Sequence, residues 1–305
     1  MSRPPLPPRV TVVEVGPRDG LQNETVQVST ATKIAFVEAL AAAGLPVVEI
    51  AAFVNPARVP QMADAIDVAR GIAKQPGTRY TALVPNLRGL AAAYDAGMTE
   101  IAIVVAASET FSQRNINQTV DASLTAYASV VHDARAEGMR VRGYLSTAFG
   151  CPFEGDVPQA RVVELTERLL SMGVFEVAVS DTIGVATPGE VADMVEAMSA
   201  RVPVGAIALH LHDTRGTALA NVLAALEAGV STFDASAGGL GGCPFAPGAA
   251  GNLSTEDLIY MLQGLGIETG VDLDAVVRAS RLIAASIGHP LPSRYLKAVS
   301  GSDPR

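Results

Sequence analysis

Two histidines one residue apart, His210 and His212, and a cysteine set in a glycine-rich run are the residues of this chain best suited to chemistry. Alternate residues of a strand point the same way, so His210 and His212 share one face while Leu211 and Asp213 take the other. Two imidazoles on one face suit a metal ion. Asp19, in VGPRDGLQNE, and Asn252, closing the run GGLGGCPFAPGAAGN, offer oxygen ligands. A nitrogen and oxygen set without thiolate favours a divalent Mg or Mn ion over a closed structural zinc site. The run from Gly238 to Asn252 holds too many glycines for a helix or strand, and it reads as a mobile lid carrying Cys243 toward a ligand. His132, in a helical stretch, and His289, in the terminal segment, read as bystanders.

The elements that position these groups follow from apolar and β-branched runs alternating with helical patterns. Eight strands are expected, at Val10–Val15, Val47–Phe53, Tyr80–Val84, Ile101–Ala106, Arg140–Ser146, Phe175–Ser180, Ile207–His212 and Thr232–Ala235. Helices are expected at Thr30–Ala43 and Gly216–Ala228, with two more, Thr255–Leu265 and Leu273–Ile287, after the last strand. This rhythm predicts an α/β chain folded as a (β/α)8 TIM barrel with extra C-terminal helices, one catalytic domain over residues 1–305, with a doubly wound open sheet as the alternative. Barrel chemistry sits at the carboxyl ends of the strands. Polar residues gather there, in Glu14 to Gly20, at Glu49, in Ser180-Asp181-Thr182 and in His210 to Asp213.

Composition narrows the partners. The chain has 305 residues, 49% hydrophobic and 17% charged, with a net charge of -9 and no basic cluster, which argues against nucleic acid. No apolar run approaches the ~20 residues of a membrane span. MSRPPLPPR lacks an apolar targeting core, so a soluble cytoplasmic protein is expected, and Cys151 and Cys243 are expected to stay reduced.

VGPRDGLQNE, HLHDTRG and GGLGGCPFAPGAAGN, supported by FVNPARVPQMAD, NINQT, GCPFEG, DTIGVATPG and NLSTEDLIYMLQGLGIETGV, together resemble the 3-hydroxy-3-methylglutaryl-CoA lyase family over nearly the whole chain. The resemblance implies a metal-dependent TIM-barrel lyase of leucine degradation that cleaves this thioester to acetoacetate and acetyl-CoA. It implies metal positions at Asp19, His210, His212 and Asn252, Arg18 beside the thioester carbonyl, and Cys243 as the catalytic cysteine of the lid. Substrate contacts are expected from Arg18, Gln22 and Glu49, with Glu49 and Asp181 as supporting acids. The base is Asp19 or His210, and the residues leave both open. An acyl-CoA is the expected partner, and a homodimer is an open expectation.

The chain departs from the family pattern at Thr25, Ala51, Ala52, Leu211 and Arg215, which bears on the acyl group more than on the chemistry. Another branched 3-hydroxyacyl-CoA is therefore an alternative substrate. An acetyl-CoA-dependent condensing synthase would share the RDG and HxH elements but not the cysteine loop, and a non-catalytic CoA- or metal-binding barrel would not need Arg18, Asp19, both histidines, Cys243 and Asn252 together.

Overall fold

A computed structural model describes residues 5–242 and 250–300. Its eight strands are β1 (Thr11–Glu14), β2 (Val47–Ala52), β3 (Arg79–Leu83), β4 (Glu100–Ala106), β5 (Arg140–Ser146), β6 (Val177–Asp181), β7 (Ile207–Leu211) and β8 (Thr232–Ala235). They form a closed parallel barrel in chain order. The seam is a full β1–β8 ladder from Thr11 opposite Thr232 to Glu14 opposite Ala235, which settles the architecture as the (β/α)8 barrel rather than the open sheet.

Eleven helices surround the strands among the described residues: α1 (Thr30–Ala42), α2 (Ala65–Gly71), α3 (Leu87–Asp95), α4 (Glu109–Ile116), α5 (Val120–Ala136), α6 (Gln159–Ser171), α7 (Pro188–Ser199), α8 (Ala218–Glu227), α9 (Thr255–Gly264), α10 (Leu273–Ile287) and α11 (Arg294–Ser300). Local chemistry starts several of them. Ser29, Asn86, Ser108, Thr119, Ser254 and Asp272 each accept a backbone N–H of the first turn, and Thr187 with Glu190 forms a capping box ahead of Pro188. None of the helices is long and apolar enough to cross a membrane.

The expected strands are all present, β5 and β8 with the expected bounds and the others with ends moved by at most two residues. Phe175 falls outside β6 because it lies at the barrel's amino-terminal rim, where the Arg140 guanidinium covers its ring at 4.0 Å. His212 falls outside β7 because the chain returning from the glycine-rich run docks there. In that return segment Gly251 accepts the Asp213 N–H at 2.7 Å, and Leu253 bridges the two last strands, donating to the Leu211 carbonyl and accepting from Ser236. His212 thus lies opposite Asn252.

After β1 the chain makes an element that composition does not announce. Gly16–Gly20 closes as a single wide turn in which the amides of Arg18, Asp19 and Gly20 all point at the Val15 carbonyl. Buried Glu14 anchors it, accepting from the amides of Gly16 and Ala237 and from the Thr255 hydroxyl. One carboxylate so ties the start of the barrel to the exit of β8 and the start of α9.

Candidate active site

That turn places Arg18 and Asp19 over the carboxyl end of the barrel. Arg18 is buried, its Nε donating to Glu49 Oε2 at 2.7 Å and its Nη1 to Asp19 Oδ1. The Tyr144 ring lies 5.4 Å below the guanidinium, and its hydroxyl donates to the same Glu49 oxygen at 3.2 Å. Burial alone would depress the Arg18 pKa, but Glu49 and then Asp19 hold it above the ordinary arginine range. Glu49 is raised, because burial outweighs the pull of Arg18.

Asp19, His210 and His212 each offer a ligand atom, and these atoms all lie within 4.8 Å of one another. Burial pushes the Asp19 carboxyl up, yet Arg18, His210 and His212 together bring it down to about 2. Burial, followed by the nearby His210, lowers His212 to about 4, leaving a neutral imidazole. Its Nδ1 is buried without a hydrogen-bond partner. A carboxylate held low, a neutral imidazole with an orphaned nitrogen and a second imidazole, which burial lowers but Asp234 raises above the ordinary histidine range, form a donor set suited to a divalent cation, so the residues present fit the metal that the sequence implies.

Asn252 joins this cluster through its carboxamide nitrogen, which donates to Asp19 Oδ2 at 2.9 Å and to the Leu240 carbonyl at 3.2 Å. The oxygen expected to ligate is not the atom turned toward Asp19; a half-turn of the amide exchanges the two. Arg18, Asp19, Gln22, His210 and His212 line a cavity of about 250 Å3 together with Tyr144, Phe111, Asn115, Ser180 and Thr182. Gln22 presents a buried Oε1 with no partner, in keeping with a substrate contact.

Two of the expected residues lie outside the cavity lining. Glu49 is wholly buried beneath Arg18, with Oε2 accepting from the guanidinium and Oε1 without a hydrogen-bond partner, and it is not part of the cavity lining. The Asp181 carboxylate accepts from the amides of Val185 and Ala186 and so shapes the β6–α7 loop, and it is not part of the cavity lining. Cys243 lies outside the described residues. Of the bystanders, His132 is exposed, whereas His289 Nε2 meets Glu24 Oε2 at 2.7 Å, tying the terminal segment to the chain after β1.

Sequence reasoning missed Tyr144 and Asp234. The Asp234 carboxylate meets His210 Nδ1 at 3.1 Å, and the two residues are register partners across β7 and β8. The signal was an acid inside the strand TFDA, where an apolar residue would be ordinary.

A family model described as HMGL-like matches residues 9–283. A mitochondrial hydroxymethylglutaryl-CoA lyase of Bos taurus is 52% identical over 293 residues, spanning 96% of this chain and 90% of that protein. The crystal structure of the Bacillus subtilis HMG-CoA lyase, 49% identical, aligns with a TM-score of 0.96 over 97% of this chain and 99% of that one. An HMG-CoA lyase of Acinetobacter baumannii, solved in complex with coenzyme A and 3-methylmalate, is 39% identical with a TM-score of 0.92 over 97% of each chain. A family match over most of the length, a relative identical at half of its positions and a shared barrel agree: this chain belongs to the HMGL-like family.

Proposed function

We propose that this chain is a hydroxymethylglutaryl-CoA lyase, cleaving the C2–C3 bond of 3-hydroxy-3-methylglutaryl-CoA to acetoacetate and acetyl-CoA. The observation that carries the reading is the buried Arg18 guanidinium set against the Asp19, His210 and His212 cluster at the mouth of the barrel. A relative solved with coenzyme A and a hydroxy dicarboxylate, 3-methylmalate, supports an acyl-CoA substrate.

A divalent cation, Mg or Mn by its donor set, would be held by Asp19, His210 and His212 with Asn252 beside them, and when bound it supplies Lewis-acid polarisation of the substrate hydroxyl and carboxylate. The chain's own groups do the rest. Both candidate bases stay open: Asp19 has one oxygen engaged by Arg18 and the other by Asn252, and His210 has Nδ1 engaged by Asp234 and a single lone pair, on Nε2, that serves either the cation or the hydroxyl proton. As that proton leaves, the C3–O bond becomes the acetoacetate ketone and the C2–C3 electron pair passes into the thioester as an enolate. Arg18 Nη2, which has no partner among the described residues, meets the charge growing on the thioester oxygen, while Nε and Nη1 are held by Glu49 and Asp19 so that the group need not reorganise. The enolate carbon then takes a proton, the part assigned to Cys243.

The departures from the family pattern leave the lining of the site cavity unaltered, and so carry no argument for a larger branched substrate. None of Thr25, Ala51, Ala52, Leu211 and Arg215 lines the site cavity; Ala52 faces a different cavity of about 340 Å3, and Arg215 is spent on the carbonyls of Ile183 and Gly184. The test is a panel of 3-hydroxyacyl-CoA thioesters with Mg or Mn, products read by mass spectrometry. Preferential release of acetoacetate from the methylglutaryl ester is expected. Cleavage of none of them, or condensation of acetyl-CoA with a 2-oxo acid, overturns the reading.

A further inference from the structure

The interior of a barrel of this kind is ordinarily filled by apolar side chains in layers. Here the largest fully buried side chain is Arg142, on β5. Its Nε donates to Glu176 Oε1 at 2.7 Å, and its Nη1 and Nη2 grip both oxygens of Asp234 at 3.2 and 2.7 Å. Glu176 stands just before β6, at the end of the barrel opposite the site, and is 12% exposed, while Asp234 is 0% exposed. The remaining lone-pair direction of Asp234 Oδ2 is turned to His210 Nδ1. An unbroken line of contacts, Glu176 to Arg142 to Asp234 to His210, therefore crosses the barrel from its amino-terminal rim to the cavity.

Stability does not account for such a line. Buried ion pairs commonly gain nothing over well-packed apolar residues of the same volume, because desolvation cancels the attraction. What the line does supply is a defined proton. An ionised carboxylate gripped by a guanidinium can only accept, so the hydrogen between Asp234 and His210 belongs to Nδ1, and Nε2 keeps the free lone pair. A histidine without this partner exchanges its two tautomers and rotates.

We propose that Asp234 is a positioning residue for the lyase reaction, fixed by Arg142, whose task is to hold His210 as the Nδ1–H tautomer with the Nε2 lone pair turned to the cation. The inference rests on the metal-dependent reading above. Arg142 has a part that neither a neutral residue nor lysine fills, since it must satisfy both Asp234 oxygens in one plane while its Nε reaches Glu176.

Two measurements test it. Mn2+ titration followed by electron paramagnetic resonance should show Asp234→Asn binding the ion about 10- to 100-fold more weakly than the unaltered protein, the cost typical of removing a histidine's outer partner. If Asp234 only held the barrel together, the melting temperature would fall and the Mn2+ affinity would stay, and that result overturns the proposal. Should Asp234→Asn fail to fold, the unaltered protein still decides. With 15N-labelled histidine, metal-free and at alkaline pH, the His210 ring, identified by its loss in His210→Asn, should show the Nδ1–H pattern of long-range 1H–15N couplings, and an Nε2–H pattern overturns the proposal. Failure of the unaltered protein to bind Mn2+ would instead sink the metal-dependent reading, with the tautomer still judged by the second measurement.

Discussion

At the scale of single residues, the proposed lyase reading separates groups that would meet the substrate from groups that hold them. Arg18 has two of its nitrogens held by Glu49 and Asp19. Arg18→Gln is expected to lower kcat by at least ~100-fold with a much smaller change in KM, as for loss of a donor aimed at developing charge; a raised KM with unchanged kcat would move Arg18 to the binding shell. His212→Ala removes the neutral imidazole with the orphaned nitrogen and should abolish tight Mn2+ binding while leaving the far-UV circular dichroism intact. Tight Mn2+ binding by that variant would contradict the ligand set. The His-Leu-His spacing and the RDG motif were legible because strand alternation and residue type carry the information. Tyr144, Arg142 and Asp234 were not, since a lone polar residue in a strand-like run acquires a role only from its neighbours on other strands, and those neighbours are set by barrel register.

At the scale of elements, the eight strands could be read from β-branched runs, but the connections that do the positioning could not. The turn at Gly16–Gly20 depends on three amides sharing one carbonyl, a pattern without a composition signal. Glu14, beneath it, is pushed up to about 7 by burial, against the three donors that favour its charged form. The unfolded chain therefore releases this proton first, so stability falls as pH rises from the ordinary carboxylate range to about 7 and levels off above it. The amount is on the order of 3 kcal/mol. Glu14→Gln lacks this titration, and urea unfolding across that window should show the stability difference moving in the variant's favour as pH rises; a pH-independent difference would place the Glu14 pKa in the ordinary range. The return segment is equally exacting. A Cβ on Gly251 would run into the Gly241 carbonyl and the Gly242 backbone, and Gly241 itself sits at φ +98° against Gly20. Gly251→Ala should cost ~1–3 kcal/mol of stability. It should also weaken Mn2+ binding, because the shift carries Asn252 away from Asp19. Unchanged Mn2+ affinity in a destabilised Gly251→Ala would separate the segment from the site.

At the scale of the whole molecule, the barrel is closed by its own ladder and a continuous apolar core, so its integrity does not hang on an ion. Exhaustive chelation is expected to remove activity with the circular dichroism spectrum unchanged and the melting temperature lowered only modestly; collapse of the fold on chelation would show a structural metal instead. The two thiols should also behave differently. Cys151 is buried with its sulfur against the Ser108 hydroxyl at 2.9 Å, so inactivation by alkylation should track Cys243, and modification of Cys151 alone would overturn that assignment. The closed barrel was legible in the sequence as eight βα units, and the pairing between the first strand and the last then removes the open-sheet alternative.

The hydrogen bond between Asn252 and Asp19 joins positions 233 residues apart. Protein synthesis is vectorial, and the two histidines and the return segment are among the later parts of the chain to emerge. A nascent chain that has made β1 to β6 already carries Arg18, Asp19, Glu49 and Tyr144, yet it lacks His210, His212 and Asn252. On the proposed ligand set, metal capture would be a late event of biogenesis.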